Sequence, residues 1–351
     1  MINIGATSTK VALFKDEDIV FKETISHSTE DLAQHRTFLQ QGDFRRRIIV
    51  ELLEQKGLGL DDLDIIVARG GGTKPTSTGA YRISKAMRED LLSGIYEKHP
   101  ANLGPVIAYE ISEIAKIPAI IVDSPSSDEF EPLARFSGLP EIKRRSGFHV
   151  LNQKAAAKKA AEELGEKYEN LNLIVVHLGG GISVGAHKKG RIIDASHGIE
   201  EGPFSPDRTG NLPVLELIKL CFSGRYTQEQ LQKKIMGTGG LAAYLGTNDA
   251  KEVEKRISEG DEEALMVYQA MAYQISKEIG AMASVLKGGV DVIVFTGGLA
   301  YSEMLINWIK ERVCFIAPVR VYPGEDEIKA LASGALRILR GEETLKEYLH
   351  L

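Results

Sequence analysis

The chain has little cysteine, no long apolar run and no basic excess. Cys221 and Cys314 are its only cysteines and stand far apart, so neither a disulfide framework nor a cysteine zinc site has a sequence basis. A reducing compartment is expected. Apolar runs stop short of the ~20 residues that a membrane-spanning helix needs, and no membrane partner is expected. The 43 Lys and Arg are outnumbered by 49 Asp and Glu, a formal net charge of −6, which argues against nucleic acid as a partner. The short clusters Arg45-Arg46-Arg47 and Lys143-Arg144-Arg145 read as solvated helix face or loop. No secretory signal precedes the first apolar strand, which starts at residue 2, so a cytoplasmic location is expected.

What the chain does have is glycine at the ends of apolar strands. Leu173 to Val176 reads as a buried strand, runs into Gly179-Gly180-Gly181, and continues as an alternating strand to His187. Such a turn exposes backbone N–H groups to which an anion can come close, although most glycine triplets are only tight turns. Residues 2 to 14 repeat the pattern with a small-residue turn, Gly5 to Thr9, followed by Lys10. A third strand, from Val290, runs into Thr296-Gly297-Gly298. Three strands that end in small-residue loops point to one nucleotide site served by two halves of a chain long enough for two domains.

Other candidates lie at strand ends. Asp64 to Ala68 empties into Arg69 and three glycines, where open α/β sheets place ligand groups. Ala119 to Val122 ends in Asp123, which can be a turn cap or a catalytic or metal carboxylate. His149 stands ahead of an Ala- and Lys-rich helix that Asn152 can cap. The loop Gly198 to Pro213 holds Arg208 among Glu200, Glu201 and Asp207, and pairing with those acids is its ordinary explanation. Helices are expected over Phe44 to Gln55, Lys85 to Tyr96, Asp261 to Leu286 and Ile328 to Arg340. The Asp261 to Leu286 stripe reads as core. Ala330, Ala332, Gly334 and Ala335 would let the last helix pack closely on a neighbour.

Together these pieces resemble the acetate and sugar kinase, heat-shock cognate and actin superfamily, and within it the butyrate and branched-chain fatty-acid kinases of the acetate kinase family. The segments that carry the resemblance are Asn3 to Lys10, Gly147 to Lys154, His177 to Ser183, Glu201 to Arg208 and Phe295 to Ala300. Acetate kinases usually have Gly-Thr-Ser-His after Gly-Phe-His, and Asn-Gly in the central loop. This chain has neither. The resemblance implies an α/β fold of duplicated ribonuclease H-like (actin-like ATPase) domains with an interdomain nucleotide cleft. One domain would span 1–145, completed by the C-terminal helix at about 325–351, and the other 146–324, carrying the adenosine-binding loops.

It also implies roles. Arg69, Asp123, His149 and Arg208 would be catalytic. Asn3, Ser8 and Lys10 would lie at the phosphates, His177 and Gly179, Gly180 and Gly181 at the nucleotide, and Gly297 and Gly298 beneath the adenosine. Asn3, Asp123 and one of Glu325, Asp326 and Glu327, of which Glu325 is chosen, would serve Mg²⁺. The implied cofactors are ATP/ADP and Mg²⁺, the partner a short-chain carboxylate or its acyl phosphate, and the assembly a homo-oligomer, a dimer or higher. The chain departs from the family at Ala6, where Ser or Thr is usual, and at Ile4, where Pro is usual. The missing hydroxyl is worth about 0.5–3 kcal/mol of hydrogen bonding.

The expected activity is phosphorylation of butyrate, isobutyrate or another branched-chain acid. The alternatives are acetate or propionate kinase, or a nucleotide-binding paralogue with weakened catalysis. A chaperone or filament-forming relative would need a peptide-binding domain or polymer-contact insertions for which the chain has no spare segment. A sugar kinase needs a base for a hydroxyl, and none is evident.

Overall fold

The computed structural model describes residues 1–35 and 37–349 of the 351. Residues Met1–Asp128 and Asp326–Leu351 make up one compact unit, and Glu129–Glu325 the second. The division falls ahead of residue 145, the sequence-based boundary, because the segment after Glu129 is tied to the second unit. Glu131 N donates to Ile193 O, and Arg144 donates to Asp194, Glu201 and the Ala195 carbonyl.

The first unit is built on a six-stranded sheet. Its strands are β1 (Ile2–Ile4), β2 (Ser8–Lys15), β3 (Asp18–Ser26), β4 (Ile66–Ala68), β5 (Ala80–Arg82) and β6 (Ala119–Val122), in the order β3-β2-β1-β4-β6-β5. The first three form an antiparallel meander, β4 lies parallel to β1, β6 parallel to β4, and β5 closes the edge antiparallel. The second unit has β7 (Asn172–Leu178), β8 (Ile182–Lys188), β9 (Arg191–Ala195), β10 (Val292–Gly297) and β11 (Val319–Pro323), in the order β9-β8-β7-β10-β11. There too a meander is followed by two parallel strands. Apart from the added β5, the two sheets have one topology. Residues 2 to 14 and 173 to 187 are equivalent hairpins in it.

In each unit the central strands are apolar on both faces, because helices cover both sides. Leu103–Ala115 packs on β1, β4 and β6 and buries Val106, Ile107, Ala108 and Ile111. Glu327–Leu339 packs on β4, β5 and β6, and its small residues are sterically required: a Cβ on Gly334 would come within 2.6 Å of Val122 Cγ1. In the second unit, Glu262–Val285 buries Tyr268, Met271, Ile275 and Ile279 in the core, as its periodicity indicates.

Three local expectations are corrected. Arg45 is fully buried, not solvated. Its guanidinium donates to the carbonyls of Ala6 and Ser8 and to Thr9 Oγ1, bracing the β1–β2 turn. The helix read from Phe44 starts at Phe38, behind a capping box of Thr37 and Gln40 that satisfies orphan N–H groups at the helix start. The helix Val150–Glu163 has His149 at its N-cap, so Asn152 lies within the first turn and does not cap it.

Candidate active site

The residues selected from the sequence divide between the units. In the first, antiparallel register sets Asn3 opposite Lys10, so both side chains leave the same face of the sheet. Asn3 is buried and Lys10 exposed. Ser8 begins β2, and its backbone carbonyl accepts a hydrogen bond from Gly5 N across the turn. At the end of β4, Arg69 N donates to Ile2 O, which fixes the backbone from which its half-exposed guanidinium projects. Asn3 Nδ2 donates to Glu327 Oε2 at 3.0 Å, and Arg69 Nη2 lies 3.2 Å from Glu327 Oε1. Glu327, the third of the three adjacent acids, therefore joins Asn3 and Arg69, whereas Glu325 belongs to the other unit.

Asp123 sits at the C-terminal end of β6 with φ at 44°, a left-handed conformation uncommon for a residue with a Cβ. It is held there by two bonds to one residue: its N–H donates to Gly79 O and its Oδ1 accepts from Gly79 N. Strain of this sort persists only where the surroundings over-determine it. The glycines after Arg69 are packing glycines. A Cβ on Gly70 would strike Ser124, and one on Gly71 would strike Asn102.

In the second unit, His149 and His177 stack with ring centroids 3.8 Å apart and planes 16° apart. Each ring is anchored through Nδ1: His149 to Ser183 Oγ at 2.9 Å, and His177 to Asn152 Oδ1 at 2.8 Å. Burial, and then the charge it would meet at His149 and Arg208, holds His177 neutral well below the ordinary imidazole range. Glu325 lies 3.7 Å from His177 Nε2 and is half exposed.

Arg208 is held against the glycine turn. A Cβ on Gly181 would overlap its guanidinium, and Nη1 donates to Gly198 O. The neighbouring acids do not neutralise it fully. Glu200 pairs with Arg145 and Glu201 with Arg144, while Asp207 stands 3.7 Å from Arg208 Nε, beyond hydrogen-bonding reach. Arg208 Nε is buried without a hydrogen-bond partner among the described residues. A half-buried cation with a spare donor suits an anion.

The glycines differ in what they do. Gly179 makes room for the His177 ring and Gly181 for Arg208, while Gly180 faces Asp207. Gly297 has φ +93°, and a Cβ there would overlap the Leu178 backbone. Gly298 has open space. Two residues to which the sequence assigns no role belong to this cluster. His197 packs so closely on Gly147 that no side chain fits there, and its pKa is lowered chiefly by burial. Gln153 lies one helical turn beyond His149 and bonds Ser183. Gln153 lies inside the Gly147 to Lys154 segment, four residues after His149, where the resemblance assigns it no role, and His197 has no comparable sequence sign. Among the described residues no group of three or more His, Cys, Asp or Glu is arranged to hold a metal by itself. No helix among them is long and apolar enough to cross a membrane.

Residues 140–314 match the sequence profile of the Acetokinase family. Among solved structures, the chain is similar to an acetate kinase from Porphyromonas gingivalis, at 21% identity and a TM-score of 0.77 over 96% of this chain and 98% of that one. It is similar to a propionate kinase from Francisella tularensis subsp. tularensis SCHU S4, at 16% identity and a TM-score of 0.73 over 94% and 97%. An acetate kinase from Entamoeba histolytica matches at 16% identity and a TM-score of 0.74 over 95% and 97%. These likenesses agree with the strand orders described above: the fold is the α/β, duplicated actin-like ATPase fold expected from the sequence.

Proposed function

We propose that the chain, whose residues 140–314 match the Acetokinase family profile, is a carboxylate kinase of that family that transfers the γ-phosphoryl group of ATP to a short-chain carboxylate, reversibly, with butyrate, isobutyrate or another branched-chain acid as acceptor. The observation that carries the reading is Arg208, a half-buried guanidinium seated on Gly181 beside the His149–His177 stack, whose buried Nε lacks a hydrogen-bond partner among the described residues and stands 3.7 Å from Asp207.

A carboxylic acid is ionised at neutral pH, so its nucleophile needs no general base. The protein has to bring two anions together and stabilise the charge that spreads over the equatorial oxygens of the transferring group. Arg208 and Arg69 supply cationic forks for that charge, and His149 a hydrogen bond. Ser8, Lys10 and the N–H groups of Gly180 and Gly181 bind the phosphates, the Gly179 N–H being given to Gly181 O, and the open space at Gly298 accommodates the adenosine.

The donors of the first unit fit Mg²⁺: the carboxylates of Asp123 and Glu327 and the amide oxygen of Asn3 are hard oxygen ligands, and Mg²⁺ commonly takes only one or two carboxylates, with phosphates and water completing its shell. When bound, the ion neutralises phosphate charge. Glu327 is preferred to Glu325 for this role because it already meets Asn3 and Arg69.

Acyl-hydroxamate formation with ATP, Mg²⁺ and hydroxylamine tests the reading over acetate, propionate, butyrate, isobutyrate and isovalerate. Trapped acyl phosphate that peaks at four or five carbons supports the proposed acceptor. A peak at acetate or propionate keeps the reaction and replaces the acceptor. No hydroxamate with any acid, with ATP bound, overturns the proposed reaction.

A further inference from the structure

Behind His149 a chain of hydrogen bonds runs through the core of the second unit. Tyr168 Oη lies 2.8 Å from His187 Nδ1, and His187 Nε2 lies 3.1 Å from Gln153 Oε1. Gln153 Nε2 donates to Ser183 Oγ at 2.9 Å and to Ser183 O at 3.3 Å, and Ser183 Oγ meets His149 Nδ1 at 2.9 Å. Gln153, Ser183 and His187 are fully buried. Ser183 and His187 share one face of β8, and between them Gly185 leaves the gap that the Gln153 amide fills. A Cβ on Gly185 would overlap Gln153 Oε1.

We infer that Ser183 and Gln153 are positioning residues that lock His149 as the tautomer with its proton on Nε2, a role that rests on the proposed use of His149 as a hydrogen-bond donor to the phosphoryl group. The direction of the chain follows from one fixed acceptor. The Ser183 backbone carbonyl can only accept, so the Gln153 amide must turn its NH₂ to Ser183 and its oxygen to His187. His187 therefore donates from Nε2 and accepts at Nδ1 from the Tyr168 hydroxyl. Burial and the nearby Lys154 cation keep that ring neutral, as this arrangement requires. Ser183 Oγ then accepts from Gln153, and among the described residues its own proton has one acceptor within reach, His149 Nδ1. With Nδ1 occupied as an acceptor, the ring proton sits on Nε2.

The test is long-range ¹H–¹⁵N correlation NMR of the histidine-labelled full chain without substrate, with His149 assigned by its substitution. The wild type is expected to show the Nε2–H tautomer. Gln153→Glu keeps the shape but replaces the donor to Ser183 with an acceptor. The serine proton then turns away from His149, and the expected signature is an Nδ1-protonated ring. Gln153→Met fills the same space and releases Ser183, so the Nδ1–H form should appear beside the other. If the first variant does not fold, the second decides. An Nδ1–H ring in the wild type, or an unchanged tautomer in the folded variants, overturns the inference. Because no turnover enters the measurement, a locked tautomer in a protein that makes no acyl phosphate would leave the inference standing and overturn only the proposed reaction.

Discussion

The guanidinium of Arg208 occupies the space in which a side chain on Gly181 would begin. The obstructing atom is the far end of a long side chain, so Gly181→Ala should displace Arg208 and leave the fold in place. Turnover is expected to fall about 10²–10³-fold, as for loss of one transition-state donor. Urea unfolding should shift by less than about 1 kcal/mol, inside the usual range for a single substitution.

Gly297→Ala should do the reverse. There φ is +93° and the obstruction is the Leu178 backbone, which cannot swing aside. Left-handed strain of about 1–2 kcal/mol and overpacking of about 1–3 kcal/mol add to a loss of roughly 3 kcal/mol. Thermal melting that falls by roughly 10 °C would agree. An unchanged melt would mean that the β10 turn is more pliant than its geometry indicates.

Arg208→Ala is expected to lower kcat by about 10²-fold or more while ATP binding, followed by calorimetry, changes by less than about threefold, since its charge matters most when charge develops in the transition state. Arg208→Lys should recover little, because a point charge does not reproduce a fork. Equal losses in kcat and ATP affinity would contradict this assignment.

For the carboxylates, Glu327→Gln should raise the Mg²⁺ concentration needed for half-maximal rate by about tenfold or more, the size of a 1.4 kcal/mol change in binding. Glu325→Gln should move it much less. A larger effect at Glu325 would return the metal role to that residue.

Stability should fall in mild acid. His177 and His187 are held neutral in the folded chain, their pKa values lowered chiefly by burial, while in the unfolded chain they titrate near 6.5. Below that pH the unfolded state binds more protons, so stability is full above about 6.5 and declines as pH falls, by up to about 1.4 kcal/mol per pH unit for each histidine. Urea midpoints between pH 7.5 and 5.5 measure the slope, and a neutral replacement such as His187→Gln should flatten it.

The hairpins, the Arg69 and Asp123 strand ends and the core stripe of Glu262–Val285 are all legible in the sequence because each is a local pattern: alternation, a glycine turn or a helical period. What was not legible depends on partners distant along the chain. Asn152 reads as a cap, but its amide is taken by His177. Arg45 reads as solvated, but three oxygens of the β1–β2 turn hold it inside. Nothing between residues 325 and 327 separates three adjacent acids until Asn3 and Arg69 select one of them. Gly185 looks like an ordinary small residue in a strand, and its use is visible only when Gln153 fills the gap.

The first unit is discontinuous: Glu129–Glu325 intervenes before the helix Glu327–Leu339 that packs on β4, β5 and β6. During vectorial synthesis the second unit has its whole sequence available while the first still lacks a core helix and the Glu327 carboxylate. Domains tend to fold as they emerge from the ribosome. The half made first is thus the half that must finish last, and a nascent chain stalled at residue 325 would carry Asn3 and Arg69 without the acid that joins them.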